Sequence, residues 1–148
     1  MEMLIGEFRN TLDEKGRILF PAKLRSALAD QSELMITQGL DHCLMLFTME
    51  EWTELNKKIL GSVSLFNDQK RLVMRRFIAP AQKVEFDKSG RLSIPQSLRE
   101  YASLSGECVA LGINKYMELW DSQTYRQYLE QTESKFQEAA ESMSDILL

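Results

Sequence analysis

The strongest constraint on this chain is that it repeats itself. Residues 12–25 align with residues 86–99 at an offset of 74, half of the 148-residue length, and six of the fourteen positions are identical: Asp, Gly, Arg, Pro, Leu and Arg. The register holds as far as Glu33 over Glu107 and resumes after one deletion, with Leu40 to Leu44 above Ile113 to Met117. A chance match would not extend from a motif into the spacing of the elements behind it, so the chain reads as two copies of one small unit.

Each copy carries the same signals. Thr11-Leu12 and Val84-Glu85-Phe86 predict short strands. Asp-x-x-Gly predicts a tight turn, with the Asp side chain bonding the backbone and Gly supplying a positive φ. Ile18-Leu19-Phe20 and Leu92-Ser93-Ile94 predict the returning strands, and Pro21 and Pro95 open short helices at 22–28 and 96–102. Strands follow at 33–38 and 44–47, and again at 108–112 and 116–120. The unit is β-β-α-β-β. A unit of about 45 residues buries too little apolar surface to stand alone, so two copies sharing one core as a pseudo-dimer are expected. Flanking helices are expected at about 49–60, with Thr48 and Glu51 as a capping box, at 68–77, with Leu72, Val73 and Phe77 inward, and from just after Asp121 to about Met143. In the last of these, Tyr125, Tyr128, Leu129, Thr132 and Phe136 form the apolar stripe. The expected organisation is therefore a first unit at 4–48, linking helices at 49–79, a second unit at 80–121 and a C-terminal helix at 122–148.

Composition narrows the function classes. No apolar run approaches the roughly 18 residues of a membrane span, and Met1 to Gly6 lacks the pattern of a secretory leader, so a cytoplasmic protein is expected. Cys43 and Cys108 have no zinc-ligand spacing around them and read as buried small hydrophobes. His42 is the only histidine, the glycines are scattered, and Asp13 and Asp87 are explained as turn residues, so the chain does not read as an enzyme. The net charge of −4 conceals a gradient: residues 68–91 carry seven basic and three acidic side chains, residues 121–148 two basic and six acidic. A local basic face survives an acidic average because fields are screened beyond about 8 Å.

The turn motif is the richest candidate site. Strand alternation sets Lys15 and Arg17 on the side of the first hairpin opposite Ile18. In the second copy Arg91 matches Arg17, while the lysine sits earlier, at Lys88. Two such hairpins side by side make a small basic ribbon, a shape that enters a DNA major groove, where Arg binds guanine bidentately. The other reading of the same residues is solvated turn charges paired with Asp13, Glu14 or Asp87. Lys23, Arg25 and Arg99 follow the prolines; Arg25 and Arg99 either support phosphates or bridge helix to sheet, and the bridging role is favoured. Lys70, Arg71, Arg75 and Arg76 form a basic run that could widen the electrostatic footprint.

Two Asp-x-x-Gly-Arg-x-x-x-Pro motifs, Asp13 to Pro21 and Asp87 to Pro95, together with the opening Gly-Glu-Phe-x-x-x-Leu-Asp at Gly6 to Asp13, resemble the MraZ family of bacterial transcriptional regulators, which carry two SpoVT-AbrB domains. The resemblance runs from about Leu4 to about Phe136. It implies an α+β fold with a mostly β core, a swapped-hairpin AbrB-like pseudo-dimeric barrel with flanking helices. It also implies a ring-shaped homo-oligomer, octamer-like or larger, which is nucleoid-associated and binds double-stranded DNA at direct repeats upstream of the division and cell-wall gene cluster. Carried over, the DNA contacts are Lys15, Arg17, Lys88 and Arg91. No cofactor, metal or catalysis is implied. The alternatives are an AbrB-type antidote that neutralises a protein toxin through the C-terminal helix, and a purely structural ring former.

Overall fold

The computed structural model describes residues 3–29, 31–62 and 64–147. The leader reading touches Met1 and Glu2, and the C-terminal segment includes Leu148; these three lie outside the described residues. The first repeat contains β1 (Leu4–Thr11), β2 (Arg17–Leu19), α1 (Ala22–Ala27), β3 (Glu33–Gln38) and β4 (Leu44–Thr48). Helices α2 (Met49–Ser62) and α3 (Asp68–Val73) and a π-helical turn (Met74–Ile78) follow. The second repeat contains β5 (Gln82–Glu85), β6 (Arg91–Ser93), α4 (Gln96–Tyr101), β7 (Glu107–Asn114) and β8 (Tyr116–Asp121), and the chain finishes with α5 (Ser122–Gln131), α6 (Glu133–Ser142) and α7 (Ser144–Leu147).

The topology is that of a pseudo-dimer. Six strands form one antiparallel sheet in the order β1-β7-β8-β4-β3-β5, and β2 pairs with β6 in a separate ladder. Exchanging the repeats, β1 for β5 and so on, turns this order into its own reverse. Each repeat therefore gives its first strand to the other: β1 runs along β7 from Leu4↔Asn114 to Thr11↔Glu107, and β5 runs along β3 from Glu33↔Glu85 to Ile36↔Gln82. The swap solves the problem of small size, because one core forms from both halves. Ile18, Phe20, Leu24 and Leu28 of the first copy and Leu92, Ile94, Leu98 and Ala102 of the second are buried in the same cluster.

The outer face of the sheet carries two smaller clusters. Phe47 meets Trp52, Phe77 and Tyr116, with ring centroids 5.5–6.1 Å apart, under α2 and the π-helical turn. Trp120 meets Tyr125 at 5.1 Å and Tyr128 at 4.8 Å under α5. At the post-deletion offset, Phe47 matches Trp120, Thr48 matches Asp121, Trp52 matches Tyr125 and Leu55 matches Tyr128. The duplication thus extends into the helices. Both caps form: Thr48 Oγ1 accepts from Glu51 N (3.1 Å), and Asp121 Oδ2 accepts from Thr124 N (3.2 Å).

Three expectations need correction. The first strand is not the pair Thr11-Leu12 but eight residues, because its mostly exposed residues gain order from pairing with the buried β7, which no local pattern reports. Leu72 and Val73 do not point inward with Phe77; they are 53% and 45% exposed, against 7% for Phe77. Phe77 sits in the π-helical turn and is the one of the three that is buried, and the buried Thr37 hydroxyl donates to the Phe77 carbonyl at 2.6 Å. The C-terminal helix is not continuous. It breaks at Thr132, whose hydroxyl bonds back to the Tyr128 carbonyl (2.6 Å). Of the expected stripe, Tyr125 and Tyr128 pack, on Trp120, whereas Leu129 and Phe136 are exposed. The prolines, with φ of −61° and −55°, stand one residue ahead of the first helical position.

Candidate nucleic-acid interface

Both turns close by the same bonds. Asp13 N donates to Arg17 O (2.8 Å) and Gly16 N to Asp13 O (3.0 Å); Asp87 N donates to Arg91 O (2.9 Å) and Gly90 N to Asp87 O (3.0 Å). One carboxylate oxygen, Asp13 Oδ1, accepts from Lys15 N and Arg17 N, both at 2.9 Å; Asp87 Oδ1 accepts from Ser89 N (2.9 Å) and Arg91 N (3.0 Å). The other oxygen takes the arginine: Arg17 Nε reaches Asp13 Oδ2 at 2.8 Å and Arg91 Nε reaches Asp87 Oδ2 at 2.9 Å. The glycines take φ of +76° at Gly16 and +82° at Gly90, which a side chain would resist.

These turns feed a two-stranded ribbon. β2 and β6 pair with Arg17 opposite Ser93, Ile18 opposite Leu92 and Leu19 opposite Arg91. Ile18 and Leu92 face the core, so alternation sends Arg17, Leu19, Arg91 and Ser93 to the other side. Arg17 and Arg91 are diagonal neighbours there, and Arg91 Nη1 lies 4.0 Å from Asp13 Oδ2 of the other turn. Lys15 and Lys88 are exposed on the two turns at opposite ends of this short ladder. The four residues singled out from the sequence are therefore brought to one ribbon, and the two readings of their charge meet. Arg17 and Arg91 are indeed paired with aspartates, but through Nε, which leaves the Nη donors outside that bond. Partly exposed pairs of this kind contribute little stability; their effect is to orient the guanidinium.

Electrostatics follow from the same bonds. Asp13 is held below the usual aspartate range, chiefly by the Arg17 backbone N–H, and Asp87 likewise by that of Arg91. Both stay ionised at neutral pH. The first turn combines Asp13, Glu14, Lys15 and Arg17 and is neutral on balance, whereas the second combines Asp87, Lys88 and Arg91 and is positive. Elsewhere, burial pushes the Cys108 thiol up to about 12 and raises Cys43 further, so both are inert hydrophobes. His42 Nε2 lies 3.0 Å from Ser103 Oγ in an exposed loop.

Arg25 and Arg99 were legible as repeated residues, but their reach was not. Each lies against the glycine of the opposite repeat's turn. A Cβ on Gly16 would come within 2.5 Å of Arg99 Cζ, and one on Gly90 within 2.6 Å of Arg25 Cζ. Only the coincidence of a repeated Gly and a repeated Arg in one motif hints at this in the sequence. Lys23 is exposed, and Lys70, Arg71, Arg75 and Arg76 belong to α3 and the π-helical turn rather than to the ribbon. Among the described residues no group of three or more His, Cys, Asp or Glu side chains could hold a metal ion, and no helix is long and apolar enough to cross a membrane.

Comparison with known proteins bears on the whole chain. Residues 3–76 and 77–147 each match the MraZ protein family, whose description calls it antitoxin-like. A transcriptional regulator MraZ of Treponema denticola is 53% identical over 143 residues, covering 97% of this chain and 99% of that protein. Proteins of the same name from Treponema pallidum and Halothermothrix orenii are 43% and 44% identical, covering 97% of this chain and 95% and 99% of their own lengths.

Proposed function

The chain belongs to the MraZ family, and we propose on that footing that it is a sequence-specific DNA-binding transcriptional regulator. Lys15 and Arg17 with Lys88 and Arg91 read direct repeats upstream of the division and cell-wall gene cluster, its own gene included. The observation that carries this reading is the β2–β6 ladder, which gathers the four cations on one ribbon narrow enough for a major groove about 12 Å wide. The units at 4–48 and 80–121 form the reading head, and the segments at 49–79 and 122–148 serve assembly.

Assembly answers the modest charge of a single head. Leu72 and Val73 are exposed beside Lys70, Arg71, Arg75 and Arg76, while Phe136, Met143 and Ile146 are exposed among Glu133, Glu138, Glu141 and Asp145. A basic apolar face on one copy and an acidic apolar face on the next support head-to-tail contacts, which close into a ring when the rotation allows. A ring of heads, octamer-like or larger, engages successive repeats, and avidity supplies affinity without a basic net charge. Such a protein works in the cytoplasm, on the nucleoid. The antitoxin-like description of the family favours a second reading, in which the exposed residues of α6 and α7 bind a toxin instead.

Fluorescence anisotropy with DNA from upstream of the gene, against scrambled DNA and over a salt series, tests the regulator. Selective binding is expected, with a log–log salt slope of roughly −0.9 per phosphate neutralised, lost in Arg17→Ala and weakened in Arg91→Ala. Equal, weak binding to both DNAs, unmoved by either change, would reject the regulator and turn attention to a protein partner.

A further inference from the structure

We infer that Arg25 and Arg99 are positioning residues that act across the repeats: Arg99 holds the turn from Asp13 to Arg17, and Arg25 holds the turn from Asp87 to Arg91. The inference rests on the DNA-reading role of those turns, but its geometry does not depend on it. Gly16 and Gly90 are buried, and in each case Cζ, Nη1 and Nε of the opposite arginine lie within 3.0 Å of where a Cβ would be. The guanidinium therefore fills the side-chain space that glycine leaves empty.

Main-chain bonds run the same way. Ile94 N donates to Gly16 O at 2.8 Å, and Phe20 N donates to Gly90 O at 3.1 Å. Each donor immediately precedes the proline that opens the helix bearing the arginine, and that helix closes on the proline carbonyl through Arg99 N (3.0 Å) or Arg25 N (3.1 Å). Glycine carbonyl, strand end, proline and arginine thus form one cross-repeat clamp. The Asp carboxylate governs the outer side of each turn and the opposite arginine the inner side.

The chemistry requires arginine in particular. A planar, delocalised guanidinium stacks flat and is weakly hydrated; an ammonium is a compact, strongly hydrated point and does neither. Here the positioning role parts from a direct phosphate contact, which a lysine would largely preserve. The two clamps also differ. Arg25 Nε donates to Phe20 O at 2.9 Å, whereas Arg99 Nε is buried with no partner among the described residues. The clamp on the first turn is one bond weaker.

Arg99→Lys and Arg25→Lys in the full chain test this by hydrogen exchange read on peptides, without DNA. Arg99→Lys should speed exchange across the first turn about tenfold, the size of an ordinary coupling between contacting residues, and leave the second turn at the wild-type rate. Arg25→Lys should do the reverse. Acceleration at both turns alike, within the substituted repeat only, or at neither would overturn the inference. In the anisotropy assay Arg99→Lys and Arg25→Lys should each weaken selective binding, because a turn that is not held presents its arginine poorly. Wild-type affinity and salt slope in both lysine variants would assign the two arginines to phosphate charge and also overturn it. Failure of the wild type to select its DNA rejects the regulator reading alone, because the exchange pattern still decides the clamp.

Discussion

In the first repeat Asp13 accepts from the N–H groups of Lys15 and Arg17 and grips the Arg17 side chain; in the second, Asp87 does the same for Ser89 and Arg91. The bonds match to within 0.1 Å, yet the surroundings do not. Glu14 neutralises the first turn where Lys88 adds charge to the second, and the arginine clamp is complete only behind the second. Duplication has kept the residues that shape the turn and let the charges on it drift. A backbone geometry with a positive-φ glycine and a capped carboxylate admits few substitutes, whereas an exposed turn position admits many.

The same contrast marks the outer faces. Phe47 and Trp120 are equivalent anchors, but Phe47 packs among three aromatic neighbours from α2, the π-helical turn and β8, and Trp120 among two from α5. The largest expected effect lies here. Trp120→Ala should cost about 3–5 kcal/mol of unfolding free energy in urea titration, and Phe47→Ala about as much. If only Phe47→Ala is this costly, α5 is an appendage rather than an equivalent of α2.

A smaller effect separates the turns. Gly90→Ala should destabilise by about 1–2 kcal/mol from its left-handed backbone alone, with a further loss from displacing a tethered Arg25. Gly16→Ala should cost less, because Arg99 gives way without breaking a bond at Nε. Thermal melting of the two variants reads the difference, and a larger loss at Gly16 would refute the weaker clamp.

The smallest effect is a shared one. Both aspartates bind a proton less tightly folded than unfolded, so the turns stabilise the fold above the ordinary aspartate value of about 3.9 and lose that contribution as pH falls through the lower folded values. Urea midpoints at pH 7 and pH 3 should converge in Asp13→Asn and in Asp87→Asn by similar amounts. Unequal convergence would show that the matched bonds are not matched in energy.

Local chemistry made much of this legible. Asp13, Gly16, Arg17 and Pro21 with their second-copy partners announced the turns, the short helices and the strand count, because turn geometry and helix initiation depend on a few neighbouring residues. Thr48 announced the helix that follows it, through capping. The break at Thr132 left no such mark, since a Thr hydroxyl that bonds back to the helix looks like any other Thr in a helical stripe. Neither did the π-helical turn, whose extra residue is stabilised by Thr37 some 40 positions away.

The sequence by itself determined that there are two units, where each turns, and which cations the turns carry. Only the tertiary structure decided that the units exchange their first strands, that β2 pairs with β6 rather than with its own neighbour, and that each arginine rests on the other repeat's glycine. Those choices belong to the shared core: neither half buries enough surface alone, so the lowest free energy is reached only when each completes the other, and no window of local sequence contains both partners of that exchange.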